Sequence, residues 1–123
     1  LSIRRQRQMC IRDRLFTPSE TRPNYIFQTF LYASIMCRQQ TLKVAPALLY
    51  IHRAASDSYS PVIEMGEPRQ PKIPVNNFTF FEDEFRKRLQ TLLEEIFSEN
   101  EPFTQTEDIK KCSYCDFKAI CKR

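Results

Sequence analysis

Cys112, Cys115 and Cys121 fall in the closing stretch of the chain, spaced C-x2-C-x5-C. Thiolates this close together reach a common zinc ion or iron–sulfur core without closing long loops. Three donors are one short of a tetrahedral set, so a fourth must come from elsewhere. Cys37 and the single histidine, His52, are the candidates. The plainer alternative is three unliganded thiols packed beside Tyr114, Phe117 and Ile120. A polar terminus flanked by Lys110, Lys111 and Lys118 is a poor place for buried core cysteines, which favours a metal site. A thioredoxin-like redox pair is disfavoured, because Cys112-Ser-Tyr-Cys115 sits in a tail and not between a strand and a helix.

A second candidate is Gln28-x3-Tyr32, two hydrogen-bonding side chains four residues apart that share one side of a helix. Alone the pair is weak, since an amphipathic tyrosine at the edge of a core explains it equally well. Two acidic groupings look like catalytic sites but do not read as such. Asp116-Phe117-Lys118 has the letters Asp-x-Lys, yet it lies between two cysteines on no plausible strand and has no second acid placed to share a metal. Glu82, Asp83 and Glu84 occupy a helix first turn, where the dipole favours acids, and read as a solvated face.

The elements that must position these groups follow from periodicity. Ile26, Phe27, Phe30, Leu31, Ser34, Ile35 and Met36 recur at helical spacing and predict a helix over 24–39 carrying Gln28 and Tyr32. The nearly continuous apolar run 44–52 predicts a strand over 47–53, covered on both faces and starting after Pro46. A short strand over 61–65 follows, and Gly66 with Pro68, Pro71 and Pro74 predicts an irregular 66–77. Thr79-Phe-Phe-Glu82 reads as a capping box, with the threonine hydroxyl accepting from the first turn. Phe85, Leu89, Leu92, Leu93 and Ile96 then form one apolar stripe of a helix over 80–99, ended by Asn100 and Pro102. Phe103-Thr-Gln-Thr-Glu-Asp is a linker into the cysteines.

With 123 residues there is room for one domain and a modest core. No apolar run is long enough to span a bilayer, so a soluble protein without a membrane partner is expected. An odd count of five cysteines and no apolar export leader argue against a disulfide framework and for a reducing, cytoplasmic compartment. The net charge of +4 is contained in residues 1–14, with Arg4, Arg5, Arg7, Arg12 and Arg14 against Asp13, and the rest is neutral. The body therefore shows no global preference for phosphate, and a nucleic-acid function must rest on motifs. Residues 1–14 read as a basic leader that is non-native or disordered. A basic arm and an Arg-rich transit peptide are alternatives. Arg7-Gln-Met-Cys-Ile-Arg-Asp-Arg14 resembles library adapter translated together with a gene fragment, so the segment, with Cys10, is set aside from fold reasoning.

Together these pieces have an order. A Gln28-x3-Tyr32 helix, a strand, a long helix ending Leu-Leu-Glu-Glu-Ile-Phe97, then Pro102-Phe and Cys112-x2-Cys-Asp-Phe-x3-Cys121-x-Arg resemble the C-terminal end of the PD-(D/E)XK nuclease superfamily. The likeness spans about 23–123 and is greatest to the RecB/AddB-type nuclease domains that accompany helicases in DNA repair and end processing. It implies an α/β fold of restriction-endonuclease-like type, here an incomplete sheet flanked by helices over 15–111 and a cysteine-rich tail over 112–123. It further implies that Gln28 and Tyr32 adjoin the active site and help position the catalytic centre and DNA phosphate. Cys112, Cys115 and Cys121 match the last three ligands of a [4Fe–4S] cluster whose first ligand lies upstream of the nuclease core in such relatives.

The family hydrolyses phosphodiesters with an Asp and a Glu or Asp that hold Mg²⁺, and a Lys beside the attacking water. Those residues belong before Gln28, yet no Asp followed by (Asp/Glu)-x-Lys occurs between Phe16 and Gln28. The expectation is thus a C-terminal fragment of a Mg²⁺-dependent DNA nuclease with a helicase partner, inactive by itself. The rivals are a zinc-binding interaction module using Cys112, Cys115, Cys121 and His52 or Cys37, and a metal-free structural α/β domain.

Overall fold

A computed structural model describes residues 15–17, 22–39, 43–66 and 69–123. The leader 1–14 and its arginines lie outside the described residues. The chain divides into two compact units, the first reaching Leu93 and the second Glu94–Arg123.

In the first unit a helix, α1, spans Asn24–Gln39, over the stretch where the apolar spacing places one. It starts directly after Pro23, whose fixed φ suits a first turn. Its Phe30 and Ala33 are buried. A second long helix, α2, spans Thr79–Ile96. Its Phe81 and Phe85 are four apart and meet α1 in an aromatic cluster. Phe30 stands edge-on to Phe78 with centroids 4.9 Å apart, and Phe85 contacts Phe16, Phe27, Phe30 and Phe78 at 5.6 to 6.0 Å. Such pairs add about 0.5–1.5 kcal/mol each beyond area burial. Leu15 is fully buried in the same cluster.

Two short strands, β1 (Glu64–Met65) and β2 (Ile73–Pro74), pair antiparallel, Glu64 opposite Pro74 and Met65 opposite Ile73. A ladder of this length is not stable by itself. It is held by Ile63, Met65 and Val75, all buried in the aromatic core, and by the Val75 N–H donating to the Ile63 carbonyl at 2.8 Å. Gly66 directly follows β1 and lies close against the returning chain. A Cβ there would stand 3.1 Å from Lys72 Cα and 3.2 Å from the Pro71 carbonyl oxygen, tighter than most side chains tolerate. The proline-rich 66–77, expected to be irregular, thus supplies a strand. Pro74 fits because, among the described residues, β2 pairs only with β1 and its other edge needs no donor.

The strand expected over 47–53 does not form. Ala47 makes an isolated bridge to Val62 and the Leu48 N–H donates to Pro61, but Ile51–Arg53 curls into a 3₁₀ turn. Tyr59 explains the break. Its hydroxyl accepts from the Tyr50 N–H and donates to the Leu48 carbonyl, occupying backbone groups that a strand partner would need. Leu49 and Ile51 are exposed, so the run is not covered on both faces. The strand expected over 61–65 is shorter, reduced to the Val62 bridge and β1.

The capping of α2 also differs. Thr79 is not the acceptor: Asn77 Oδ1 accepts from both the Thr79 N–H (3.2 Å) and the Thr79 hydroxyl (2.7 Å). Asparagine before the first turn is a strong cap, and it moves the helix start ahead of the expected box. At the other end α2 stops at Ile96 rather than 99, and Ser98 and Asn100 turn the chain. Its stripe is buried only in part: Leu89 lies against the core, while Leu93 and Ile96 are exposed. The described chain is therefore helices with a small antiparallel sheet, consistent with an α/β class. Among the described residues no helix is long and apolar enough to cross a membrane.

The second unit contains a five-residue helix, α3, Ile109–Ser113, followed by successive turns to Lys122.

Candidate functional site

Because Phe30, Ala33 and Ser34 point α1 into the core, residues 28 and 32 fall on its outer face. Both Gln28 and Tyr32 are exposed, and Gln28 Nε2 donates to the Tyr32 hydroxyl oxygen at 3.0 Å. With its oxygen engaged, the tyrosine O–H still has its proton to give outward, and so does the second N–H of the glutamine amide. The pair is therefore a double donor on a solvent-facing helix, suited to an oxygen-rich anion such as a phosphodiester. It offers no carboxylate to a metal. Tyr25, Ile35 and Met36 are exposed on the same helix.

Two acids near the start of α2 are engaged locally. Glu84 pairs with Arg88 at 2.9 Å and Asp83 with Arg86 at 3.2 Å, i to i+4 and i to i+3. Glu82 lies near Cys37 of α1. Burial pushes the Cys37 thiol up from its ordinary value, and the Glu82 charge adds to the rise. Cys37 packs against the edge of the aromatic core. His52 is exposed in the 3₁₀ turn, its ring edge toward Tyr50 at 6.1 Å.

In the second unit each cysteine has a place of its own. Cys112 lies on α3, where its thiol points back to the Asp108 carbonyl at 3.8 Å, and Lys111 pairs with Asp108 at 3.6 Å. Cys115 begins the next turn, its N–H donating to the Cys112 carbonyl, and is exposed. Cys121 is half-buried, its N–H on the Phe117 carbonyl. Gln105 closes the unit: its amide donates to the Cys121 carbonyl at 3.1 Å and accepts from Arg123 at 3.2 Å. Asp116-Phe117-Lys118 falls in these turns and on no strand.

Among the described residues no three His, Cys, Asp or Glu side chains form a group able to hold a metal. The thiols have the chemistry an iron–sulfur cluster or zinc requires. Cys112 is directed at its own helix backbone, and the three thiols are not gathered into one group among the described residues.

Sequence reasoning missed Gln105, taken as a linker residue, because a bond across sixteen positions leaves no local signal. It also missed a groove beside Tyr50, Arg53 and Lys72, since two irregular segments build it.

A family model described as the PD-(D/E)XK nuclease superfamily matches residues 13–122, a span that takes in Gln28, Tyr32 and all three tail cysteines. No curated protein and no solved structure matches the chain.

Proposed function

The chain belongs to the PD-(D/E)XK nuclease superfamily, and we propose that it is the C-terminal portion of a RecB/AddB-like, Mg²⁺-dependent DNA nuclease acting in repair and end processing with a helicase subunit or domain. Superfamily membership implies a DNA substrate. The observation that carries the finer reading is the Gln28–Tyr32 pair, hydrogen-bonded on the exposed face of α1 inside a match that runs on through the cysteine tail.

In this reading Gln28 and Tyr32 hold a DNA phosphate by donating to its non-bridging oxygens, which fixes the scissile bond against the catalytic centre. Acids that would precede Gln28 in the intact protein would hold Mg²⁺, which would there activate the attacking water. Cys112, Cys115 and Cys121 serve as ligands of a [4Fe–4S] cluster that fastens the domain's end to its beginning. That role requires the Cys112 thiol to leave the Asp108 carbonyl and an upstream cysteine to complete the set. Support for it comes from the donor types and their spacing.

The test is the parent reading frame extended upstream of Leu15, expressed anaerobically and assayed with Mg²⁺ on linear DNA. Cleavage that falls with Gln28→Ala or Tyr32→Phe, together with iron and sulfide at cluster stoichiometry, is expected. An upstream frame lacking Asp…(Asp/Glu)-x-Lys would overturn the nuclease reading. Zinc without iron would replace the cluster by a zinc-bound interaction module.

A further inference from the structure

The groove lies wholly within the first unit, a cleft of about 330 Å³ between the 48–64 segment and Lys72. One wall is the Tyr50 ring with the Arg53 guanidinium 5.7 Å from its centroid, a cation–π stack. Lys72 stands at the hairpin, and Ser60 lines the floor. Two cations face one acid, Glu64, among the described lining residues, and neither Arg53 nor Lys72 makes an ion pair with a described carboxylate. The backbone carrying this wall is held by Tyr59, whose hydroxyl accepts from the Tyr50 N–H and donates to the Leu48 carbonyl. Backbone tied in this way lowers the ordering cost of binding.

A surplus positive charge, a guanidinium–phenol stack and a half-apolar floor are what a single-stranded nucleotide needs. The base stacks on the Arg53–Tyr50 platform, the sugar lies on Leu48 and Val62, and the phosphate meets Lys72. We infer that this groove binds a nucleotide of a single-stranded DNA segment, separately from the Gln28–Tyr32 pair. The inference rests on the DNA-nuclease reading and gives that nuclease a second hold on the strand.

The probe is a fluorescein-labelled oligothymidylate carrying 5-bromodeoxyuridine, added to the full chain. Photo-cross-links in the wild-type protein are expected on peptides that hold Tyr50, His52 and Arg53. By anisotropy, the double variant Arg53→Ala, Lys72→Ala binds about tenfold more weakly and with a shallower salt dependence. Circular dichroism checks that the variant folds; if it does not, the wild-type cross-link map decides alone. Cross-links confined to residues 1–14, equal affinity of a folded variant, or no wild-type binding at about 100 µM chain would each overturn the groove. Cleavage by the extended protein without groove cross-links refutes this inference and leaves the nuclease reading standing. Groove cross-links in an extended protein that does not cleave refute the nuclease reading instead.

Discussion

Gln28 Nε2 donates to the hydroxyl oxygen of Tyr32 at 3.0 Å, on the exposed side of α1 that also carries Tyr25, Ile35 and Met36. A surface hydrogen bond of this kind contributes little to folding. Gln28→Ala and Tyr32→Phe should each move the urea unfolding free energy by no more than about 0.5 kcal/mol. In the extended nuclease the same changes should lower cleavage by about tenfold or more, because a phosphate donor is lost where charge is held. A large stability loss from either change would mean that the pair is a core-edge device and not a substrate contact.

The Tyr59 hydroxyl behaves in the opposite way. It satisfies the Tyr50 N–H at 2.7 Å and the Leu48 carbonyl, both in a half-buried loop. Tyr59→Phe leaves those groups without their partner while changing shape very little. The expected cost is about 1–3 kcal/mol, read as a lower urea midpoint at unchanged m-value. An unchanged midpoint would show that water replaces the hydroxyl at no cost.

Asn77 provides a test of where α2 begins. Asn77→Ala removes the acceptor of both the Thr79 N–H and the Thr79 hydroxyl, and about 1 kcal/mol should be lost. Thr79→Ala should cost less, since its hydroxyl donates to the cap and does not itself cap. The reverse order, measured by thermal unfolding, would restore the Thr79–Glu82 box.

Why some elements were legible follows from the length scale of the forces involved. The apolar spacing of α1 repeats over sixteen residues, and the Gln28–Tyr32 pair is a consequence of helical geometry, so both show in the letters. The fate of 47–53 does not, because the decision was made by Tyr59, whose hydroxyl reaches back nine and eleven positions. Phe81 was hidden for a related reason: it sits among letters that read as a capping box, yet tertiary packing on Phe30 makes it core. Spacing flagged the three cysteines, but it cannot say which way a thiol points, and Cys112 points to Asp108.

The cysteines carry a final prediction, because they differ in exposure and in the charge around them. Cys115 is exposed, Cys112 and Cys121 are half-buried, and Cys37 is pushed above its ordinary value of 9.0 by burial and then by Glu82. Iodoacetamide reacts with the thiolate, so at pH 8 the apo chain should be alkylated fastest at Cys115 and slowest at Cys37, read by peptide mass spectrometry. A raised folded value means that the folded state holds the proton more tightly than the unfolded chain. The Cys37 contribution to stability is therefore complete below pH 9 and is lost as pH rises from there through the folded value. Glu82→Gln should narrow the gap by removing the smaller cause and leaving burial. If iron or zinc is then loaded anaerobically, protection should extend to Cys112, Cys115 and Cys121 while Cys37 keeps its own slow rate. Metal-dependent protection of Cys37 would instead make it the missing fourth ligand and would draw the first unit into the site.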